Sequence, residues 1–252
     1  MKLVCAYIVI ALFATLGFTE RVKAGERVFP FQPGEKLTFQ LRWGFIPAGE
    51  AVLKVLPIET MNGVESYHFV MLARTNSFVD LFYKVRDRID AYTDVEITHS
   101  ILYKKKQREG RTNRDVIVNF DWGKVEAQYS NSGEKKKPIS ILPGSFDPLS
   151  VLYAFRLHDL KGNTEIEIPV TDGKKSVTGI AKITRREKIK LAGGTYDTYV
   201  VEPELRHIGG VFEKSKEAKL QIWITADERR IPVRIKSKVV VGSFVAELID
   251  CT

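Results

Sequence analysis

The sequence predicts a mainly β protein: a large curved antiparallel sheet or partly open barrel built from two β-meanders, with one central helix near 148–158. Three observations lead there. Beyond residue 25, apolar and polar side chains alternate with period two through most of the chain, the pattern of half-buried strands. Short turn-forming links separate these runs, which favours antiparallel neighbours because parallel strands need long crossovers. One segment alone abandons the alternation, and it opens with a helix start.

Residues 1–24 read as a cleaved secretory signal peptide: Lys2, an apolar run from Leu3 to Phe18, then Val22 and Ala24 before Gly25. The run is shorter than the ~20 residues of a membrane helix and is closed by Thr19, Glu20 and Arg21. Residues 25–252 are then expected as a single β-rich domain, periplasmic or secreted, with halves at about 25–145 and 159–252 joined by the helix. Cys5 lies near the start of the apolar run, whereas a lipid-carrying cysteine follows it. Once the leader is gone Cys251 stands alone, so no intramolecular disulfide is expected and the core must hold the fold. No later stretch is apolar enough to predict a transmembrane segment after cleavage.

The clearest alternation is Leu37–Trp43, followed by Ala51–Leu56 after an expected turn at Pro47-Ala48-Gly49. Further strands are expected at Tyr67–Arg74, Lys84–Tyr92, Ser100–Gln107, Asp115–Trp122, Lys124–Tyr129, Thr164–Val170, Val177–Glu187, Thr198–Leu205, Ala218–Thr225, Ile231–Val240 and Ser243–Leu248. Asn62-Gly63, Asn131-Ser132-Gly133, Asp172-Gly173 and Gly193-Gly194 punctuate them. In the exceptional segment, Asp147 is placed to cap a helix and Pro148 suits its first turn. The helix is apolar on nearly every side, so it is expected to be sandwiched or to plug the mouth of the sheet. Residues 62–70 resemble 193–201, which suggests related meanders; chance likeness between meanders of similar composition is the other reading.

The full chain carries +8; the leader's Lys2, Arg21 and Lys23 against Glu20 account for +2, leaving +6. The excess gathers at Lys104–Lys106, Lys135–Lys137, Arg185-Arg186 with Lys188 and Lys190, and Arg229-Arg230. Export makes nucleic acid an unsuitable partner and leaves lipid or another anionic envelope component, with solvated strand faces as the plainer reading. Reactive chemistry finds no foothold. The four histidines, His68, His99, His158 and His207, lie in no motif. No metal-ligand spacing occurs, and Asp87, Asp90 and Asp94 lack the spacing of a calcium loop. Gly193-Gly194 and Gly209-Gly210 precede no phosphate-binding helix. Catalytic, cofactor and metal residues are therefore all expected to be none.

Two stretches, Gly34–Phe39 leading into Trp43–Ala51 and Phe146–Arg156, resemble the bacterial exported family catalogued as domain of unknown function 3108. The closing run from Trp223 through Asp227 and Arg230–Val233 to Gly242 is similar too. That resemblance implies export and a β-rich fold and carries no activity. A looser likeness, to periplasmic lipoprotein carriers and receptors, is one of fold alone. The functional expectation is a non-enzymatic envelope protein binding a lipid or other amphipathic ligand in the hollow of the sheet beneath the helix. Trp43, Phe45, Tyr153, Phe155 and Trp223 are the candidate lining, though aromatics also dominate ordinary cores. The alternatives are an envelope interaction or scaffold protein without a small ligand, or a glycan or peptide hydrolase.

Overall fold

A computed structural model describes residues 28–204, 219–239 and 242–252. The expected leader, His207 and Gly209-Gly210 lie outside the described residues. Within them the strands are β1 (Lys36–Trp43), β2 (Ile46–Met61), β3 (Val64–Thr75), β4 (Arg86–Asp94), β5 (Ser100–Glu109), β6 (Thr112–Asp121), β7 (Glu126–Asn131), β8 (Glu134–Lys135) and β9 (Ile139–Ser140). After the helix come β10 (Thr164–Thr171), β11 (Ser176–Leu191), β12 (Gly194–Pro203), β13 (Lys219–Thr225), β14 (Pro232–Val239) and β15 (Gly242–Cys251). Two helices interrupt them, the one-turn α1 (Ser77–Asp80) and α2 (Ser150–Arg156).

All fifteen strands join one open antiparallel sheet, in the order β10-β11-β12-β13-β14-β15-β1-β2-β3-β4-β5-β6-β7-β8, with β9 also on β7. The two meanders thus meet where the ends of the chain pair, Leu37 opposite Cys251 and Trp43 opposite Phe244. The sheet curls on itself, since the Gly173 turn after β10 lies against Val118 of β6 and Tyr129 of β7. Across the remaining gap runs the segment after β9: Phe146 exchanges backbone hydrogen bonds with Pro169 and Thr171, and Ser145 accepts one from Ser100.

Alternation decides which face is buried. Leu37 and Phe39, Leu53 and Val55, Tyr67 and Phe69, Ile89 and Ala91 each stand two residues apart and enter one core cluster. Asn62-Gly63 and Ser132-Gly133 both have positive φ at each residue and close hairpins β2–β3 and β7–β8, as the twist of paired strands demands. The resembling stretches hold parallel places, since β3 and β12 each follow a 16-residue strand and form the middle of a meander.

Two expectations need correction. The first hairpin turns at Gly44-Phe45, with Gly44 at φ 56°, and Pro47 to Gly49 lie inside β2. Pro47 sits where the β1–β2 register shifts beside Arg42, a bulge site that tolerates a missing N–H. The helix, expected over 148–158, is limited to Ser150–Arg156. Asp147 still anchors its start: one carboxylate oxygen accepts the N–H groups of Leu149 and Ser150, and the other accepts the Ser100 hydroxyl at 2.6 Å. Burial pushes the Asp147 carboxyl upward, more than those hydrogen bonds pull it down.

Helix α2 lies in the core. Tyr153 stacks on Phe69 with ring centroids 3.8 Å apart and meets Phe31 edge-on at 5.0 Å. One turn later Arg156, only 1% exposed, pairs with Glu35 at 2.6 and 2.8 Å and donates to the carbonyls of Pro30 and Arg229. Its guanidinium also covers the rings of Phe31 and Tyr153. The helix therefore ties the entry to β1 and the β13–β14 connection to the core.

Candidate functional site

The five aromatics named from the sequence divide into two groups. Tyr153, Phe155 and Trp223 are buried members of the core cluster, and the Trp223 indole N–H donates to Glu187 at 2.7 Å. Phe45 is 93% exposed and Trp43 48% exposed at the β1–β2 hairpin end. Around Tyr153 the rings of Phe31 and Phe69 pack against the helix, and the outer pair marks a different place.

That place is the sheet end carrying the β1–β2 turn, helix α1 and the β5–β6 turn. Among the exposed side chains here are Phe78, Leu81 (79%), Phe82 (77%) and Tyr83. Their scaffold is well anchored. The Asn76 side chain caps α1 by accepting the Val79 N–H, and it donates to the Pro47 carbonyl at 2.6 Å. The Asn76 N–H reaches Ala48. Arg86 grips Asp80, whose carboxylate also takes the Thr75 hydroxyl. On the far side Gly110 donates to the Lys84 carbonyl, and a Cβ on Gly110 would fall 2.7 Å from the Tyr83 ring. The apolar side chains thus project from a fixed base.

Beside them a cleft of about 390 Å³ opens, lined by Gln40, Pro47, Glu50, Arg74, Asn76 and Arg86 among others. Its wall depends on Gly49, where an added Cβ would lie 2.0 Å from the Arg74 carbonyl oxygen. The arginines are partnered, Arg74 with Glu50 at 3.1 Å and Arg86 with Asp80, yet keep exposed faces. A polar cleft with two arginines thus lies beside an apolar crown.

Sequence reading did not reach Phe78, Leu81 and Phe82. The signal was an unassigned apolar run, Phe78-Val79-Asp80-Leu81-Phe82-Tyr83, in a connection between strands. Only the three-dimensional arrangement shows how far these side chains are exposed.

Two histidines, His68 and His99, are held in polar contacts. His68 is buried on the outer face with its two ring nitrogens 2.6 Å from Glu59 and 2.9 Å from Asp90, and it stacks on Tyr92. Both ring nitrogens are thus engaged by carboxylates. Burial would raise the Asp90 carboxyl, but hydrogen bonds from Arg88 and His68 outweigh it and hold it below the usual range. His99 lies 2.8 Å from the Thr98 hydroxyl, which donates to Asp94. The Asp94 carboxylate is spent on the Thr98 and His99 amides, closing the β4–β5 turn. Among the described residues no cluster of His, Cys, Asp or Glu is arranged to hold a metal.

Asp87 differs from its neighbours. Burial, with the Glu109 carboxylate nearby, pushes it to about 6, against a hydrogen bond from the Arg108 N–H. A folded value above the unfolded ~3.9 means that ionisation destabilises the fold at high pH, a cost that fades as pH falls from about 6 toward 4. Asp87→Asn keeps the acceptor oxygen and is expected to add about 1 kcal/mol of stability at pH 8, after discounting for solvent screening, and nothing at pH 4. Urea melts of both proteins at the two pH values provide the check, and equal gains at both would refute the assignment.

The family model for a protein of unknown function, DUF3108, matches residues 38–249. The chain belongs to this family. No curated protein matches its sequence. A crystal structure of a beta-barrel-like protein of another domain of unknown function, DUF1849, from Brucella abortus, is similar in fold. Its TM-score is 0.55 at 8% identity, over 86% of this chain and 96% of that one. A predicted lipoprotein from Parabacteroides distasonis aligns at TM-score 0.38 and 12% identity, over 89% of this chain and 97% of that one. A predicted exported protein with a YmcC-like fold from Bacteroides fragilis gives 0.33 and 9%, over 89% and 98%. The DUF3108 model covers both the crown and the buried helix. Neither it nor these neighbours carries a stated catalytic activity. Among the described residues no helix is long and apolar enough to cross a membrane.

Proposed function

We propose that this DUF3108 member is an exported, non-enzymatic protein of the cell envelope that binds an amphipathic lipid at the crown. The observation carrying this reading is the exposure of Phe45, Leu81 and Phe82 on the two elements, the β1–β2 turn and the α1 segment, that flank a polar cleft with two arginines. Large apolar side chains gathered on a surface mark an interaction site, because leaving them in water has a cost that only a partner removes. The arginines Arg74 and Arg86 suit an anionic head group, and the aromatic crown suits the chain attached to it. The signal-like leader supports a periplasmic or secreted location.

The test is solvent extraction of the protein purified from its exported fraction, analysed by mass spectrometry, with titration of the delipidated protein by a fluorescent lysophospholipid. Co-purified lipid and saturable binding are expected, with affinity falling about tenfold when Phe45 and Phe82 both become serine, since two apolar side chains no longer leave water on binding. An empty extract together with no saturable binding would overturn the reading.

A further inference from the structure

We propose that the crown docks the protein on an anionic bilayer surface, with Phe45 and Phe82 entering the interface and a basic stripe on β4 and β5 facing the head groups. This rests on reading the crown as lipid-binding and adds the membrane itself as partner.

Geometry carries the first half of the argument. Phe45 comes from the β1–β2 turn, and Leu81 and Phe82 from the α1 segment, two elements stitched together by Asn76. Phe78 and Phe82 meet edge-to-face at 5.7 Å, so they are presented as one unit. Tyr83 closes the patch against Gly110. Several anchored side chains reaching outward from one end of a sheet can enter a flat apolar phase at once. Aromatic rings favour the interfacial layer, where one edge is apolar and the other wet.

Charge carries the second half and selects anionic lipid. Along the outer face next to the crown, Arg88 stands opposite Lys106 in the strand register, and Lys104 lies opposite Asp90. Arg88 turns its guanidinium onto Asp90 at 2.6 and 2.7 Å. Lys104 lies over the Tyr92 ring instead of pairing with an acid. Among the described residues Lys84, Lys104, Lys106 and Arg111 have no carboxylate within ion-pair distance, whereas the crown acids Glu50 and Asp80 are each held by an arginine. Like charges placed opposite each other on a sheet repel, and an anionic surface relieves that repulsion. In the Arg185-Arg186 and Arg229-Arg230 clusters the arginines are paired instead, Arg186 with Asp197 and Arg230 with Asp159.

The experiment is co-sedimentation of the full exported chain with vesicles of phosphatidylglycerol and phosphatidylcholine in equal parts, and with pure phosphatidylcholine vesicles. Binding to the anionic vesicles is expected to exceed that to neutral ones and to fall as salt rises. Lys104→Gln with Lys106→Gln should weaken it by about fivefold per charge. Phe45→Ser with Phe82→Ser should weaken it by about tenfold or more. Circular dichroism and melting temperature verify that both variants are folded. If lysophospholipid binds but vesicles do not, docking is overturned and the lipid-binding reading stands; if neither binds, both fall. Vesicle binding indifferent to head-group charge or to the phenylalanines also overturns the proposal, as does self-association abolished by Phe45→Ser with Phe82→Ser, which would assign the face to a second copy.

Discussion

Arg156→Ala is expected to lower the stability of the fold by about 3–5 kcal/mol, the range for removing one partner of a buried ion pair. Arg156 is 1% exposed and Glu35 little more accessible, so the substitution leaves a carboxylate stranded in a low-dielectric site. Two backbone carbonyls, of Pro30 and Arg229, lose their donor as well. The consequence should extend beyond the site. Arg156 joins α2 to the approach to β1 and to the β13–β14 connection, either side of the seam where the meanders meet. Urea denaturation followed by tryptophan fluorescence gives the number. Arg156→Met combined with Glu35→Leu should lose less than Arg156→Ala alone, because no charge is left unpaired. A loss below about 1 kcal/mol for Arg156→Ala would mean that the pair does not hold the helix.

Tyr153→Ala is expected to cost a similar amount, about 3–5 kcal/mol, by opening a void between α2 and β3. The ring is fully buried, stacked on Phe69 and touched by Phe31, so few neighbours can collapse into the space. Tyr153→Phe separates ring from hydroxyl. Among the described residues the hydroxyl meets no hydrogen-bond partner, and burial pushes its pKa upward. The phenylalanine variant should therefore stay within about 1 kcal/mol of the natural protein while the alanine variant does not. Equal losses would place the contribution in the hydroxyl and contradict the packing argument. Because Tyr153 and the crown are separate, both variants should leave lysophospholipid affinity unchanged at temperatures where they remain folded.

Most of the strands were legible because alternation is local: a residue such as Phe39 or Phe69 declares its face relative to its immediate neighbours. Turn chemistry was equally local at Asn62-Gly63, where positive φ suits few residues. Asp147 was recognised as a helix anchor for the same reason, since its partners Leu149 and Ser150 lie within three positions. The first turn was misplaced onto Pro47 because proline's usual meaning was stronger in the sequence than Gly44, and a bulge beside Arg42 reversed that meaning. Strand ends ran longer in space than in pattern, as in β11, where a register shift after Ile183 breaks strict alternation.

The candidate site was half legible. Trp43 and Phe45 were singled out with Tyr153, Phe155 and Trp223 because an aromatic side chain looks alike in a core and on a surface. Separating them needs knowledge of what covers each ring, and covering is done by residues distant in the chain. Phe69 covers Tyr153 from another strand, whereas Phe82 meets only its neighbour Phe78 edge-on among the described rings and stays 77% exposed.

From residue order alone came the strand class, most of the turns and the anchored helix start, all properties of neighbours within a few positions. Folding added what depends on distant pairs. The seam of β15 with β1 and the bond of Arg156 to Glu35, 121 positions apart, are contacts that no local pattern encodes. The helix lies inside the sheet because its apolar surface, with Tyr153 foremost, is removed from water only there, and its single charge is matched there by Glu35. The crown stays outside because its anchors are backbone and polar contacts at the rim, which leave Phe45, Leu81 and Phe82 largely exposed.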